Sequence, residues 1–228
     1  MFRFFDLLLS SSALVFLSPL FVPIMLILRL TGEGEVFYLQ ERVGKGGRTF
    51  HLFKFATMLK NSPSIGTGTI TIIDDPRILP FGKFLRKTKI NELPQLLNVL
   101  YGDMSLIGPR PLTEETFSAY PPESKIQIQL VRPGLSGIGS IIFRNEEELL
   151  SNSKDAKGLY FKEIAPFKGQ LESWFVKNYS IKIYFLLILL TIVVVIFPRT
   201  NIVWKIFPSL PIPSISDKNI YNFFIGKS

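Results

Sequence analysis

The sequence contains no cysteine and a single histidine, His51, among its 228 residues. The absence of cysteine excludes disulfide bonds and thiolate chemistry, and with one histidine it also excludes a zinc site of the usual Cys/His type. Acidic residues are in deficit too, since 18 Asp and Glu stand against 26 Lys and Arg, for a net charge of +8. This excess favours an anionic partner, and nucleic acid, an anionic membrane face and a phosphorylated substrate all qualify.

Hydrophobic residues make up 47% of the chain and concentrate near its two ends. The first apolar run, residues 7–28, is long enough to cross a bilayer. A cleaved signal peptide is disfavoured because the run is long and no Ala-x-Ala site follows it. Ser18 and Pro19 near its middle predict a break, because proline removes a backbone hydrogen bond. A spanning helix and a re-entrant helix with both ends on one face stay open.

Between the first apolar run and the second, residues 183–197, the chain has features of a folded domain. The second run is short for a full span, so a segment that lies in the membrane interface and one that dips into the membrane both stay open. Two strand-like stretches within residues 36–55 flank a Gly-rich turn and predict a hairpin. Arg42 and Lys54 on that hairpin are candidate anion contacts, although solvated surface charges are just as common. Residues 138–143 are compatible with a strand, and the acidic run 146–148 with a solvated helix face.

The centre of the chain carries basic residues followed by one carboxylate, Glu92. Asn91 and Glu92 lie near the start of a predicted helix, whose leucines recur at helical spacing: Leu93, Leu96, Leu97 and Leu100. A helix N-terminus suits phosphate, and Arg86 precedes it in the chain. Arg110 sits in a rigid Gly-Pro-Arg-Pro turn and can hold a phosphate with two parallel hydrogen bonds. A capped surface helix followed by a turn fits the spacing equally well.

Several long motifs follow one another along the chain. They are Glu-Arg-Val-Gly at 41–44, Asp-Pro-Arg at 75–77, Glu-Leu-Pro-Gln-Leu at 92–96, Gly-Asp-Met-Ser at 102–105, Gly-Pro-Arg-Pro at 108–111 and Val-Arg-Pro-Gly-Leu at 131–135. Together with the apolar start they resemble the bacterial sugar transferase family, the monotopic polyprenol-phosphate phosphoglycosyl transferases. The resemblance runs from about residue 4 to about residue 178, and so many motifs in one order make it specific.

This resemblance implies a mixed α/β fold, a membrane-associated monotopic catalytic domain with a re-entrant N-terminal helix and interfacial helices. We divide the chain into the membrane helix (1–32), the catalytic domain (33–180) and a hydrophobic segment with its tail (181–228). Such enzymes transfer a sugar-1-phosphate from a UDP-sugar to a polyprenol phosphate such as undecaprenyl phosphate, and they use Mg²⁺. They initiate surface polysaccharide or glycoconjugate assembly at the cytoplasmic face of the bacterial inner membrane. The implied partners are UDP-sugar, polyprenol phosphate and membrane lipid, without nucleic acid, and a homodimer stays open.

The resemblance also assigns roles to individual residues. Arg86 and Arg110 correspond to active-site arginines, Glu92 to a catalytic carboxylate that also binds the metal, and Glu172 to an active-site Asp. The residues expected to contact substrate are Arg42, Lys54, Arg132 and Glu172.

One departure from the family pattern concerns the catalytic position Asn91, where the family has its nucleophilic Asp. A neutral amide is a poor nucleophile, so three alternatives stay open. Glu92 is the nucleophile; or the lipid phosphate attacks directly, with Glu92 holding Mg²⁺ and Asn91 donating a hydrogen bond; or the protein binds without catalysing. Because Arg86, Glu92, Arg110 and Glu172 remain, we expect an enzyme. The alternative is a non-catalytic membrane homologue that binds nucleotide-sugar or polyprenol phosphate.

Overall fold

The computed structural model describes residues 1–65, 75–151, 153, 155–197 and 202–213, so the end of the predicted C-terminal segment, 214–228, lies outside the described residues. The helices are α1 Phe2–Leu30, α2 Pro80–Lys87, α3 Gln95–Tyr101, α4 Glu114–Ser118, α5 Pro122–Ile128, α6 Ile138–Ile142, α7 Glu146–Ser151, α8 Ala156–Leu159, α9 Ala165–Lys177, α10 Ile181–Ile196 and α11 Ile202–Ile206. The strands are β1 Phe37–Val43, β2 Thr49–Phe55, β3 Ser105–Ile107 and β4 Gly134–Ser136. Helix and sheet therefore mix, as predicted, with helix predominating.

The predicted hairpin is confirmed, since β1 and β2 pair in antiparallel. The turn between them needs glycine, because Gly46 and Gly47 have φ angles of 69° and 77°. Tyr38 on β1 pairs with Lys54 on β2. Alternate residues of a strand share a face, so Lys54 and Arg42 lie on the same side of the hairpin.

Helix α3 is fixed to this hairpin by one buried amide, Asn98. Its oxygen accepts a hydrogen bond from the Phe53 N–H at 2.9 Å, and its nitrogen donates to the His51 carbonyl at 2.8 Å. A short 3₁₀ helix, Ile90–Glu92, comes just before α3, so Glu92 lies near a helix start as predicted. The amide therefore sets where Glu92 stands relative to the hairpin.

The second sheet pairs β3 with β4 in parallel. Its backbones approach so closely that a Cβ on Gly134 would lie 2.0 Å from the Gly108 nitrogen. The strand expected at residues 138–143 is wrong, because most of this segment forms α6. Ile138 and Ile141 are both buried, and their spacing of three residues places them on one helical face.

Helix α10 contains most of the second apolar run, and it has two different sides. Tyr184 and Leu187 are fully buried, and the helix packs against α6, β3 and β4. Leu189 and Ile192, by contrast, are 59% and 53% exposed. The run is therefore both a core element and an apolar surface.

Helix α1 runs without interruption through Ser18 and Pro19, so the predicted break in the helix is corrected. Pro19 lacks the N–H that would bond to the Val15 carbonyl four residues earlier. The Ser18 hydroxyl donates to that same carbonyl at 2.8 Å. The neighbouring serine thus satisfies the acceptor that the proline leaves, which explains why the helix continues.

The start of α1 is hydrogen-bonded to the folded domain. Arg3 donates to the Leu100 carbonyl at 2.7 Å. The buried Asp6 carboxylate accepts from the Ser105 hydroxyl at 2.9 Å, the Leu106 N–H at 2.9 Å and the Tyr184 hydroxyl at 2.8 Å. One side chain therefore ties α1 to both β3 and α10.

The end of α1 packs against another part of the same domain. Ile24 and Leu28 are buried in a cluster with Phe55 and Leu85. The middle is exposed, with Phe16 at 83%. Among the described residues α1 is the one helix long and apolar enough to cross a membrane.

Candidate active site

The hairpin, the 3₁₀ helix before α3, and α7 surround a cavity of about 540 Å³, called here the polar cavity. Six residues predicted from the sequence line it: Arg42, Lys54, Arg86, Asn91, Glu92 and Arg110. They come from five places in the chain, namely β1, β2, α2, the 3₁₀ helix before α3 and the Gly-Pro-Arg-Pro turn, and the fold brings them together.

An ion pair stands at the centre of this cluster. The Arg110 Nη2 atom lies 3.2 Å from the Glu92 Oε1 atom. Burial alone would raise the pKa of Glu92, but the positive charges of Arg110, Lys54 and Lys89 outweigh it and hold that pKa at about 2. Glu92 in turn raises the pKa of Arg110. Both groups are therefore charged at neutral pH.

Lys54 is a cation of this cavity whose pKa lies near neutral pH. Burial, and then the positive charge of Arg42, lower the pKa of Lys54 to about 7. Arg42 stays charged, since burial and Arg110 lower its pKa only to about 10. The buried Nε atoms of Arg42 and Arg86 have no hydrogen-bond partner among the described residues. Crowded cations with unsatisfied donors are suited to a phosphate-rich ligand.

Two carboxylates of α7 enter the site, where the sequence pattern predicts only a solvated face. Glu146 contacts the Lys168 Nζ atom at 2.6 Å, and Glu147 contacts the Arg86 Nη2 atom at 2.9 Å. Lys168 is 4% exposed and lies beside the Phe143 ring. Glu146 is 22 positions from Lys168, and Glu147 is 61 positions from Arg86. Sequence patterns within a single element therefore could not predict these ion pairs.

A second cavity of about 460 Å³, the apolar cavity, adjoins the first. Leu9 and Ala13 of α1 line one side, and Ile188, Ile192 and Val195 of α10 line another. Leu9, Ile192 and Val195 are also exposed, so apolar surface continues from the cavity to the outside.

Glu172, predicted to contact substrate, lies in the wall of the apolar cavity. Its Oε1 atom accepts a hydrogen bond from the Arg110 backbone N–H at 3.3 Å, and its buried Oε2 has no partner among the described residues. Burial raises the pKa of Glu172 to about 7. Gly139 allows this position, since a Cβ there would lie 2.3 Å from Oε1. Glu172 thus supports the Arg110 backbone from the apolar side.

The two cavities share one boundary, called here the junction. Six residues line both cavities: Lys89, Glu92, Arg110, Glu146, Glu147 and Lys168. Three are cations and three are carboxylates. A ligand in either cavity can therefore reach the same charged groups.

Arg132 is the predicted site residue that the fold does not bring to the cluster. It is exposed, it lines neither cavity, and its Nε atom donates to the Gly102 carbonyl at 2.7 Å. The contact braces a turn, and it gives no support to a substrate role.

Oxygen donors for a metal ion are few. The described residues contain no group of three or more His, Cys, Asp or Glu arranged to hold a metal. The polar cavity offers the ionised Glu92 carboxylate and the buried Asn91 Oδ1 atom, which has no hydrogen-bond partner among the described residues. Mg²⁺ commonly uses one or two protein oxygens together with substrate phosphates, so this donor set fits it.

The sequence of the chain is similar to those of several known proteins. The chain is 37% identical over 158 residues to the exopolysaccharide production protein ExoY of Sinorhizobium fredii, covering 63% of this chain and 70% of that protein. It is 33% identical over 192 residues to the UDP-N-acetylgalactosamine-undecaprenyl-phosphate N-acetylgalactosaminephosphotransferase of Aeromonas hydrophila, covering 83% and 42%. With the undecaprenyl-phosphate galactose phosphotransferase of Salmonella typhimurium it shares 32% identity over 193 residues, covering 78% and 37%.

Two of these relatives are much longer proteins, and the chain spans only about two fifths of their length. The family comparison is broader in coverage. The model of the bacterial sugar transferase family matches residues 1–198, which include both cavities and the helices α1 and α10. On this match the chain belongs to the bacterial sugar transferase family.

Proposed function

We propose that this protein transfers a sugar-1-phosphate from a UDP-sugar to a polyprenol phosphate, undecaprenyl phosphate in bacteria, and so initiates the assembly of a surface polysaccharide or glycoconjugate. The observation that carries the proposal is the contact of a cation-rich cavity with an apolar one at a single charged junction. The reaction joins a polar donor to a lipid acceptor, and the two cavities match those two chemistries. The names of the relatives point to the same reaction.

The polar cavity is the proposed site of the UDP-sugar. Its volume is within the usual range for small-ligand sites. Arg42, Arg86 and Arg110 offset the charge of the diphosphate, and Lys54 joins them when it is protonated. Arg110 lies closest to Glu92 and is placed to stabilise charge at the phosphorus that reacts.

The apolar cavity is the proposed site of the polyprenol phosphate. Its walls on α1 and α10 accept the first isoprene units, and the exposed apolar residues beside them lead outward to the membrane. The phosphate of the lipid would then lie at the junction, where Lys89 and Lys168 supply positive charge.

A re-entrant arrangement of α1 belongs to the proposal, in which the helix stays continuous and bends at its internal prolines, so that it enters and leaves the membrane by one face. Asp6 near one end and Leu28 near the other both contact the same folded domain, while the apolar middle is exposed. A helix that crossed the bilayer would carry its ends to opposite faces. Both ends on one face, together with Arg3 and Arg29, fit the cytoplasmic side of the inner membrane.

Mg²⁺ is the proposed cofactor. Glu92 and Asn91 Oδ1 would hold it together with phosphate oxygens of the donor. When bound, it would neutralise phosphate charge and polarise the phosphorus that is attacked. Glu92 is ready for this role because its neighbours keep it ionised.

The test is release of UMP by the purified full-length chain in detergent or nanodiscs. It uses UDP-glucose, UDP-galactose and UDP-N-acetylgalactosamine in turn, with undecaprenyl phosphate and Mg²⁺. We expect UMP, and a sugar diphosphate lipid, from at least one donor, and neither product without the acceptor. Binding of donors with no turnover would instead indicate the non-catalytic homologue.

A further inference from the structure

The two cavities leave room for both substrates at the same time. They contact each other only through the six junction residues, and the rest of their linings differs. The Tyr38 and Lys54 side of the hairpin belongs to the polar cavity alone, and Ala13 and Ile192 belong to the apolar cavity alone. A donor in one cavity therefore does not have to leave before an acceptor enters the other.

The carboxylates at the junction are each held by a cation. Glu92 pairs with Arg110 at 3.2 Å, Glu146 with Lys168 at 2.6 Å, and Glu147 with Arg86 at 2.9 Å. A cation paired with a carboxylate stabilises its negative charge and so makes it a weaker nucleophile. These pairs disfavour a covalent intermediate on any of the three.

Two further residues that the family pattern places at the site, Asn91 and Glu172, offer no better nucleophile. Asn91 lines the polar cavity and carries an amide, which is neutral. Glu172 is 1% exposed and lines the apolar cavity without lining the polar one, so the Arg110 backbone separates it from the donor.

We infer that the protein transfers the sugar phosphate directly, from donor to lipid acceptor in one complex, without a phosphosugar–enzyme intermediate. This inference rests on the proposed function. An oxygen of the lipid phosphate forms a bond to the β-phosphorus of the UDP-sugar. The bond from that phosphorus to the bridging oxygen breaks, and its electron pair leaves with UMP. With both phosphates fully ionised the charges balance and no proton is transferred.

The junction cations make a direct encounter of two anions feasible. Arg110 lies at the boundary and faces both cavities, so it can contact the donor diphosphate and the acceptor phosphate together. Lys89 and Lys168 line the same boundary. In such a mechanism the protein supplies position and charge, and the acceptor itself supplies the nucleophile.

The test uses the full-length protein, the donor that supports turnover, labelled at its β-phosphate, and undecaprenyl phosphate as the acceptor. Three quantities are measured: turnover with both substrates, UMP and labelled protein formed without acceptor, and exchange of free labelled UMP into UDP-sugar without acceptor. Asn91→Asp, which places a carboxylate at the same position, is run in parallel as the comparison.

Direct transfer predicts turnover, intersecting double-reciprocal plots, and neither labelled protein nor exchange when the acceptor is missing. For Asn91→Asp we expect acceptor-independent UMP release, limited to the amount of protein. Turnover by the native chain with parallel plots, with a burst of UMP before acceptor is added, or with UMP exchange overturns direct transfer while the proposed function stands. No turnover with any donor overturns the proposed function, and this inference with it.

Discussion

The polar and apolar cavities are built by different means. The polar cavity is made by the hairpin and by charged side chains that pair across it, and Asn98 fixes α3 against β2. The apolar cavity depends on two long apolar helices, α1 and α10, which the Asp6 carboxylate ties together through Tyr184. The difference indicates that electrostatics decide what enters one cavity and that helix docking decides the shape of the other. Variants can therefore be chosen to affect one cavity, the other or their boundary.

The largest effect is expected at the boundary itself, from Glu92→Gln. The change removes the carboxylate partner of Arg110 and the one ionised oxygen ligand proposed for Mg²⁺. By analogy with the loss of one preorganised charge in an active site, kcat should fall by about 10²–10³-fold or more. Steady-state UMP release measures it, with Glu115→Gln as the control, since Glu115 pairs with Lys157 outside both cavities. Unchanged kcat in Glu92→Gln would remove Glu92 from the mechanism.

The second-largest effect is expected from Ala13→Trp, which should change binding in the apolar cavity alone. A bulky ring at this wall occupies space meant for the lipid acceptor, so the KM for undecaprenyl phosphate should rise by about tenfold, equivalent to ~1.4 kcal/mol. The KM for the UDP-sugar should not change. Val15→Trp is the matched control, since Val15 is 76% exposed on the same helix and lines neither cavity. Equal effects of both variants would contradict an acceptor site between α1 and α10.

A smaller effect belongs to the polar cavity and depends on pH. Lys54, with a pKa near 7, is protonated below that pH, whereas Glu92, Arg42 and Arg110, which face it, keep their charges from pH 6 to 9. A bound diphosphate raises the pKa of Lys54, so binding takes up a proton. Affinity for the UDP-sugar should then fall as the pH rises above 7, by up to about tenfold per unit. Lys54→Arg keeps its charge and should give a flat profile in calorimetric titrations from pH 6 to 9. If the variant retains the native slope, another group is responsible.

The smallest effect is expected for Arg132→Ala. The sequence resemblance assigns this arginine to substrate, whereas the fold places it on the Gly102 carbonyl, outside both cavities. Losing one exposed hydrogen bond should change either KM by less than about twofold, with a loss of stability of ~0.5–1.5 kcal/mol. A rise of tenfold or more in the KM of either substrate would restore the assignment from sequence.

Much of the polar cavity could be predicted because its residues sit in local patterns. Two strand-like stretches flank a glycine-rich turn, and this local pattern predicts the hairpin. Leucines at helical spacing follow Glu92, and this pattern predicts that Glu92 lies at the start of a helix. The partners of these residues could not be predicted in the same way. Lys168 reaches Glu146 only through the packing of α9 against its surroundings, and the acidic run alone is typical of a solvated surface.

The apolar cavity was harder to predict for a different reason. An apolar run looks the same whether it packs in a core or faces outward, and α10 buries one face and leaves the other exposed. The proline in α1 was expected to break the helix, but the hydroxyl of Ser18 satisfies the carbonyl that Pro19 leaves without a donor. Such compensation depends on the rotamer of one side chain, which hydropathy does not report.

The central claim is that the two cavities hold donor and acceptor simultaneously on either side of the Glu92–Arg110 pair. The most direct measurement is binding of a UDP-sugar analogue with a methylene group in place of the bridging oxygen, which cannot be transferred. Its affinity for the native protein is measured with and without saturating undecaprenyl phosphate. Our account predicts that the analogue still binds when the acceptor is present, with an affinity changed by less than about tenfold and a stoichiometry that is unchanged. Competition between the two ligands, with the apparent Kd of the analogue rising in proportion to acceptor concentration, would contradict it.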